Sequence, residues 1–399
     1  MNTNNQQNAS NVAQNLLFFQ KQKHLNSLLS LFHFQMLFQQ GDMVREGRYW
    51  KNDIPVGTMH LIISKPNAGC LLTQLTEGVY YLEDPTGSVS LDFTSTRFHS
   101  GLFTENCFVL AEGYYEDLVL HVMGLVMPPT EPRATTQIYF GNVNTYGGLS
   151  KTLLKNSENL MQIEKENEDA MIIFLSDVWL DNLKVMSKLR CLFSGYNDFP
   201  PVAVVLLGEF LSRPYGHETA ETLRTALRGL GELVAQFPQL AAACKFVLVP
   251  SSSDPGAANM LPRNKLGDGV VMASNPCRLQ YCSQELVVLR HDLVTKMCRN
   301  SVHFPESGDI PDHVRYSCFV CTLTPLPLGV QPVYWQHADG LSLYPVPDVV
   351  IIADHFQPYA RTHQSCHVVN PGSFPRTEYS FKVYMPASRT FEDSQIPED

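Results

Sequence analysis

The chain has 399 residues, a hydrophobic content of 44% and a formal charge of −10. This length exceeds the usual size of one domain, and the acidic charge argues against a protein that coats nucleic acid through clustered lysine and arginine. Its ten cysteines are too dilute for a disulfide scaffold, and no apolar run approaches the roughly 18 residues that span a bilayer. We therefore expect two domains in a soluble protein of a reducing, intracellular compartment.

Residues 1–53 form an N-terminal segment without the signals of a globular domain. Residues 1–14 are rich in Asn and Gln and offer almost nothing to bury, which is typical of disorder. In residues 15–40, leucine and phenylalanine recur at spacings compatible with one or two amphipathic helices. Such a helix packs on its own chain or docks a partner, and the spacing leaves both interpretations open.

Residues 54–132 carry short apolar runs between turn signals, the pattern of an all-β module. In residues 78–92 an Asp-Pro-x-Gly turn predicts a hairpin, and a second hairpin is expected over 107–126 with residues 113–117 as its turn. About five such strands suit a small barrel of the oligonucleotide/oligosaccharide-binding (OB) type. Its tyrosines are of the kind that stack nucleic-acid bases, but the neighbouring charges are mostly acidic, so core or interface roles are expected.

The prolines in residues 128–132 end the barrel, because proline fixes φ and removes a backbone donor. Residues 133–170 are expected to form a linker and a charged helix. In residues 171–399 buried apolar strands alternate with helices, which indicates a parallel sheet with right-handed crossovers. The last apolar runs have no helices between them, so a mixed sheet or two stacked sheets is expected. Active sites on such sheets lie beyond the carboxyl ends of the strands.

The ends of these strands carry the residues that bear on chemistry. The strand over 171–176 runs into Asp177 and Trp179, and the strand over 202–207 runs into Glu209 and Ser212. The order of the strand ends resembles the calcineurin-like phosphoesterase domain, with its motifs Asp-x-His, Gly-Asp-x-x-Asp, Gly-Asn-His-Asp/Glu, a lone His and Gly-His-x-His. That family holds two metal ions about 4 Å apart and activates water for attack on phosphorus.

Most ligands of those motifs are replaced in this chain. Asp177 is kept, but Trp179 replaces the histidine, and an indole has no lone pair for a metal. Glu209 stands in the second motif, where Ser212 replaces the second aspartate. The third motif falls on residues 250–254, where Ser252 and Asp254 stand without the asparagine and histidine of the family.

The two remaining motifs are changed as well. Cys321 stands where a lone histidine is expected, and residues 353–356 replace the Gly-His-x-His loop, which leaves His355 as the one imidazole near an expected place. Acidic residues without their histidines cannot hold a binuclear centre, so no catalysis, metal or other cofactor is expected. We call the following positions the vestigial site: Asp177, Trp179, Glu209, Ser212, Ser252, Asp254, Cys321 and His355. Its acidic groups are expected to cap helices or make local hydrogen bonds, and Trp179 is expected to fill the former metal pocket.

A small barrel followed by an inactive phosphoesterase domain resembles the B subunits of the eukaryotic replicative DNA polymerases. The similarity covers roughly residues 74–396. It is carried by residues 81–87, 98–102, 108–113, 128–132, 174–181, 275–278, 296–300, 323–328, 332–335, 344–348 and 370–375. That family begins with a helical domain, whereas here a short, unlike N-terminus precedes the barrel, and residues 54–73 match poorly.

This resemblance implies a non-catalytic scaffold subunit in the nucleus. It implies binding to the carboxyl-terminal, zinc-bearing region of the polymerase catalytic subunit and a link to components of the replicative helicase. Contact with DNA is expected to be indirect or weak. Two alternatives stay open: a residual metal-dependent phosphodiesterase or nuclease, and a stand-alone binder of single-stranded DNA through the barrel.

Overall fold

The structure is a computed structural model, and its described residues form two compact units. The sheet unit comprises the described parts of 1–21, 132–293 and 333–399, and the barrel unit those of 22–131 and 294–332. The described residues are 16–18, 59–62, 72–76, 78–84, 87–105, 107–127, 132–140, 157–213, 216, 219–254, 261, 271–305, 308–319, 323, 325–334, 340–343 and 345–397.

Strands and helices are numbered along the chain. The strands are β1 Leu16–Phe18, β2 Met59–Ile62, β3 Leu72–Thr76, β4 Val79–Asp84, β5 Gly87–Asp92, β6 Arg97–Phe98, β7 Phe103–Thr104, β8 Leu110–Glu116, β9 Val119–Val126, β10 Ile172–Ser176, β11 Ala203–Leu207, β12 Lys245–Val249, β13 Val271–Met272, β14 Cys277–Tyr281, β15 Gln284–Arg290, β16 Ser301–His303, β17 Val349–Ala353, β18 Tyr359–His363, β19 Cys366–Asn370, β20 Ser380–Met385 and β21 Thr390–Gln395. The helices are α1 Arg133–Phe140, α2 Glu158–Glu166, α3 Leu183–Gly195, α4 Thr219–Ala235, α5 Pro238–Ala243, α6 Leu293–Arg299 and α7 Ile310–Phe319. None of these helices is both long and apolar enough to cross a membrane.

The barrel unit contains the predicted OB-type sheet. Its strands are ordered β2-β8-β9-β5-β4-β3, and β6 also pairs with β9. The period-2 alternation of a strand is clear on β9, where Leu120 and Val122 are buried and Met123 is exposed. The predicted hairpin between β4 and β5 is confirmed by their antiparallel pairing.

The second hairpin forms between β8 and β9, but its predicted turn at residues 113–117 was wrong. Residues up to Glu116 continue the strand, and the reversal lies at Asp117 and Leu118, which both have positive φ as a tight hairpin turn requires. Gly113 lies opposite a β-bulge instead, since the register shift between Glu112 and Gly113 leaves Met123 as an extra residue on β9. A Cβ atom on Gly113 would lie 2.1 Å from the backbone oxygen of His121, so glycine is needed for close approach of the two strands.

A later part of the chain also belongs to the barrel unit. Strand β16 pairs with β7, and helix α7 satisfies two backbone groups beside β7. The backbone N–H of Gly101 donates to His313 Nδ1 at 3.0 Å, and the N–H of Leu102 donates to Ser317 Oγ at 2.9 Å. Residues 294–332 therefore group with the barrel and not with the rest of the predicted domain over 171–399, while the domain boundaries drawn from the sequence stay predictions.

The sheet unit consists of two stacked six-stranded sheets, which confirms the predicted sandwich. The first has the order β13-β12-β11-β10-β20-β21, with β10 to β13 parallel, and the second has the order β1-β14-β15-β17-β19-β18. Strand β10 is buried on both faces: Ile173 and Leu175 join a core with helices α3 and α4, while Ile172 and Phe174 join a core with strands of the second sheet. Continuous apolar sequences are typical of such doubly covered strands.

At the N-terminus the structure differs from the predicted helix over residues 15–40. Leu16–Phe18 form a strand that pairs antiparallel with β14, with Leu16 opposite Tyr281. The exposed backbone groups of an edge strand provide the reason, because they accept a further strand. The other residues of that prediction, and of the segment 1–53, lie outside the described residues.

Candidate functional site

Four strand ends of the sheet unit bring the candidate site together. Asp177 follows β10 and Glu209 follows the neighbouring parallel strand β11. From the second sheet, Arg290 is the last residue of β15 and His355 follows β17, which is parallel to β15. The carboxyl ends of parallel strands are the expected place for a site in such a fold.

The carboxylate of Asp177 lies between two basic side chains, Arg290 and His355. Arg290 Nη2 donates to Asp177 Oδ1 at 2.6 Å and Arg290 Nε donates to the same oxygen at 3.1 Å. His355 Nε2 lies 2.8 Å from Asp177 Oδ2. Burial alone would raise the pKa of Asp177, but the charge of Arg290 and the hydrogen bond from His355 outweigh it and lower that pKa to about 2. Asp177 is therefore an ionised group with a basic side chain close to each of its oxygens.

A second carboxylate, that of Asp292, contacts the remaining nitrogens of Arg290 and His355. Arg290 Nη1 donates to Asp292 Oδ1 at 2.9 Å, and His355 Nδ1 lies 3.1 Å from Asp292 Oδ2. Although burial alone would lower it, hydrogen bonds to the two aspartates raise the pKa of His355 to about 9. The two carboxylates therefore favour the protonated imidazole, whose Nε2 also lies 3.0 Å from Arg290 Nη2. We call Asp177, Arg290, Asp292 and His355 the ion cluster.

These residues do not fit the binuclear metal centre of an active phosphoesterase. Among the described residues, Glu209, Asp292 and His355 place ligand atoms within 4.8 Å of one another. However, a metal at His355 would have to displace a proton that Asp177 and Asp292 help to retain, and a metal beside Asp177 would meet the buried guanidinium of Arg290. The arrangement instead neutralises most of the acidic charge with side chains of the protein itself.

Asp254 joins two loops at the same end of the first sheet. Its Oδ1 accepts a hydrogen bond from the Phe210 backbone N–H at 3.0 Å, and its Oδ2 accepts one from the Ser251 N–H at 2.7 Å. A Cβ atom on Gly208 would lie 2.0 Å from Asp254 Oδ2, so the approach requires a glycine. Ser252 is half-buried in the turn between Ser251 and Asp254. This local bonding is of the kind expected from the sequence for Asp254.

The contacts of Ser212 and Trp179 are with residues outside the ion cluster. The backbone N–H and Oγ of Ser212 donate to the carboxylate of Asp181 at 2.8 and 2.7 Å. Trp179 packs against the core formed with helices α3 and α4, and the guanidinium of Arg376 lies 5.5 Å from its ring centroid. Its indole was predicted to fill the former metal pocket, but in the structure Arg290 and His355 contact Asp177. Cys321 lies outside the described residues.

Arg290 and Asp292 were not predicted from the family motifs. Those motifs contain metal-ligand types, and arginine is not one of them. A usable signal was present in the sequence nevertheless, because Arg290 directly follows the apolar run over residues 286–289. A buried arginine needs an acidic partner, and Asp292 lies two residues further on.

Two family sequence models match the chain. One describes the B subunit of DNA polymerase alpha/epsilon and matches residues 172–361, and the other describes the OB-fold domain of DNA polymerase epsilon subunit 2-like proteins and matches residues 68–129. Together with the barrel and the sandwich, these matches define the class of protein, which is that of the B subunits of replicative DNA polymerases.

Individual relatives narrow this class. DNA polymerase epsilon subunit 2 of Homo sapiens is 48% identical over 339 residues, which are 82% of this chain and 64% of that protein. The Drosophila melanogaster protein of the same name is 46% identical over 343 residues, and the DNA polymerase epsilon B subunit of Arabidopsis thaliana is 31% identical over 347, each covering 82% of this chain and 65% of the relative. The chain belongs to the family of DNA polymerase epsilon subunit 2. It spans about 64% of the length of the first of these relatives.

A solved structure of an archaeal phosphodiesterase covers 57% of this chain and 99% of its own, with 11% identity and a TM-score of 0.29. The similarity is too low to bear on function.

Proposed function

We propose that the protein is a non-catalytic accessory subunit of DNA polymerase epsilon that acts as a scaffold in the nucleus. In this proposal it binds the carboxyl-terminal, zinc-bearing region of the catalytic subunit and links the polymerase to components of the replicative helicase. Contact with DNA is weak or made through those partners. Family membership supports the accessory role, and the ion cluster is the observation that carries the lack of catalysis.

The chemistry of the ion cluster disfavours phosphoester hydrolysis. Such hydrolysis requires a metal-activated water or a general base close to the phosphorus. Asp177 is a poor base because the charge of Arg290 lowers its pKa to about 2, and the two aspartates raise the pKa of His355 to about 9, which favours its protonated form at neutral pH. The cluster therefore stabilises the meeting point of the two sheets, and the surface of the fold is free to serve as an interface.

The catalytic part of the proposal is tested by hydrolysis of a chromogenic phosphodiester in the presence of Mn²⁺. We expect no metal-dependent hydrolysis by the purified chain. The matched variant is Glu209→Gln, which removes a charge from the donor set of Glu209, Asp292 and His355 while keeping all four residues of the ion cluster. Metal-dependent hydrolysis that disappears in Glu209→Gln would show a residual phosphodiesterase and contradict the proposal.

The scaffold part is tested separately by co-expression with the carboxyl-terminal region of the catalytic subunit of DNA polymerase epsilon. Both the wild-type chain and Glu209→Gln are expected to co-purify with that region, because a scaffold needs its fold but no metal ligand. Failure of the folded wild-type chain to co-purify would refute the proposed partner.

A further inference from the structure

The outward side of the β8–β9 hairpin in the barrel unit carries aromatic and acidic side chains together. The register places Glu112, Tyr114 and Glu116 of β8 on this side, together with His121 of β9 and Asp92 of β5. Met123, the extra residue of β9 at the bulge, is exposed as well. We call these six residues the outer hairpin face. Tyr114 is 39% exposed and Met123 is 45% exposed, so apolar surface is available there.

The centre of the outer hairpin face is held in place by its own contacts. The ring of Tyr114 stacks on the imidazole of His121 with centroids 4.8 Å apart and an interplanar angle of 17°. His121 Nδ1 lies 2.8 Å from Asp92 Oδ2, and Asp92 Oδ1 accepts a hydrogen bond from the Thr94 backbone N–H at 3.0 Å. A row of three side chains across three strands therefore fixes Tyr114 before any partner binds, which lowers the entropic cost of binding.

The charge of the barrel selects the chemistry of a partner. Residues 72–127 contain eight acidic residues and, as their only basic side chain apart from histidine, Arg97, a formal charge of −7. A nucleic-acid backbone would be repelled by this charge, although aromatic side chains on an OB-type barrel otherwise suit base stacking. A cationic segment of a protein is attracted by it and gains cation–π contact with an exposed tyrosine.

The spacing of the outer hairpin face adds a geometric requirement. Glu112 and Glu116 are four residues apart on one strand, about 13 Å at roughly 3.3 Å per residue, and Tyr114 lies midway between them. An extended segment with two basic residues at the same four-residue interval would pair with both carboxylates. The side chain midway between its basic residues would then pack on Tyr114 and Met123.

We propose that the outer hairpin face docks an extended protein segment in which two lysines or arginines, four residues apart, flank an apolar side chain. This proposal goes beyond the accessory role and does not depend on the state of the ion cluster. It assigns a binding surface and a class of partner to the barrel unit, which does not contain the ion cluster.

The test is a titration of the full chain, labelled with ¹³C at its methionine methyl groups, with a peptide containing Lys-Ser-Leu-Ser-Lys. The Met123 methyl resonance, assigned through Met123→Leu, is expected to shift. A peptide with glutamate in place of both lysines should leave it unchanged, since the face itself is acidic. Absence of a shift with the lysine peptide, or equal shifts with both peptides, would overturn the proposal.

Variants locate the binding on the outer hairpin face. Glu116→Lys and Tyr114→Ala should each weaken binding of the lysine peptide by about fivefold or more, because each removes one contact of a small interface. Glu232→Lys on the exposed side of α4 is the matched charge-reversal control and should leave binding unchanged. Equal weakening by Glu232→Lys would show non-specific attraction and refute the assigned surface.

An oligothymidylate serves as the competing probe. If it shifts the Met123 resonance and Tyr114→Ala removes that shift while the peptide has no effect, the face binds nucleic acid and the proposal is wrong. The remaining methionine resonances report whether each variant keeps the fold. Neither outcome alters the co-purification or hydrolysis tests, so failure of this proposal is distinguishable from failure of the accessory role.

Discussion

The buried pair of Asp177 and Arg290 makes a prediction for stability that follows from its geometry. The two side chains are 0% and 1% exposed, and His355 is the second cationic partner of the carboxylate. Arg290→Met removes the guanidinium and keeps much of the side-chain volume, so the carboxylate stays buried without its main partner. Loss of one member of a buried pair costs about 3–5 kcal/mol. We expect the free energy of unfolding to fall by that amount at neutral pH.

The loss should depend on pH, because an unpaired carboxylate takes up a proton more readily. In the wild type the pKa of Asp177 is lowered from 3.8 to about 2, since Arg290 and His355 outweigh the effect of burial. A lowered folded-state pKa contributes stability above the unfolded-state value, here about 2 kcal/mol, which is lost as the pH falls from about 4 to about 2. Without Arg290 the pKa rises, so the difference between wild type and Arg290→Met should shrink toward acidic pH.

The assay is urea unfolding followed by the fluorescence of Trp179, in a background with Trp50 and Trp335 replaced by phenylalanine. The shift in midpoint at constant slope gives the change in free energy. Arg290→Lys keeps the charge but not the forked donor geometry and should lose less than Arg290→Met. Arg228→Met, on the exposed side of α4, is the matched control and should stay within about 0.5 kcal/mol. A loss below about 1 kcal/mol for Arg290→Met, or a loss independent of pH, would refute the pairing.

Three further predictions concern the ion cluster and its surroundings. NMR titration of His355 should give a pKa of about 9. Because this pKa is raised from 6.5, protonated His355 contributes stability that is fully present below pH 6.5 and is lost as the pH rises through about 9. His355→Gln should remove this pH dependence. Asp254→Ala should lower the free energy of unfolding by about 2–4 kcal/mol, because it removes the carboxylate that accepts from the backbone N–H groups of Phe210 and Ser251. Asp254→Asn keeps one acceptor oxygen and should cost less in the same urea assay. Gly113→Ala should destabilise the barrel unit by about 2 kcal/mol or more. Gly229→Ala, in helix α4 with open space around it, should stabilise the sheet unit by about 0.5–1 kcal/mol. Similar thermal midpoints for the two variants would contradict the bulge geometry.

The strands of the sheet unit were predictable because their sequences are apolar without interruption. The predicted strand over 202–207 corresponds to Ala203–Leu207, and the later apolar runs likewise became β15, β17 and β20. Such runs are buried on both faces, and burial then determines their structure more strongly than local turn signals. The prediction of the β8–β9 turn failed for the opposite reason: Gly113 resembles a turn residue, and only its pairing with β9 shows that it lies opposite a bulge.

The ion cluster could not be assembled from the sequence by motif comparison. Asp177 and Arg290 are 113 residues apart and come from different sheets, so their contact depends on how the two sheets stack. The local sequence indicated that each strand end is buried, but not which residue of the other sheet lies next to it. His355 was found by its place in a motif, yet its protonation depends on Asp292, which no motif contains.

The burial of Asp177 gives the ion cluster a role in stability. A carboxylate with no exposed surface costs several kcal/mol to desolvate unless a cation lies beside it. In an active phosphoesterase metal ions would supply that charge, whereas here the guanidinium of Arg290, held by two aspartates and a backbone carbonyl at Gly208, supplies it within the chain. A metal ion would have to displace a buried arginine that is covalently part of a core strand. The acidic residue at the end of β10 is therefore accounted for by stability, as the proposed non-catalytic role requires.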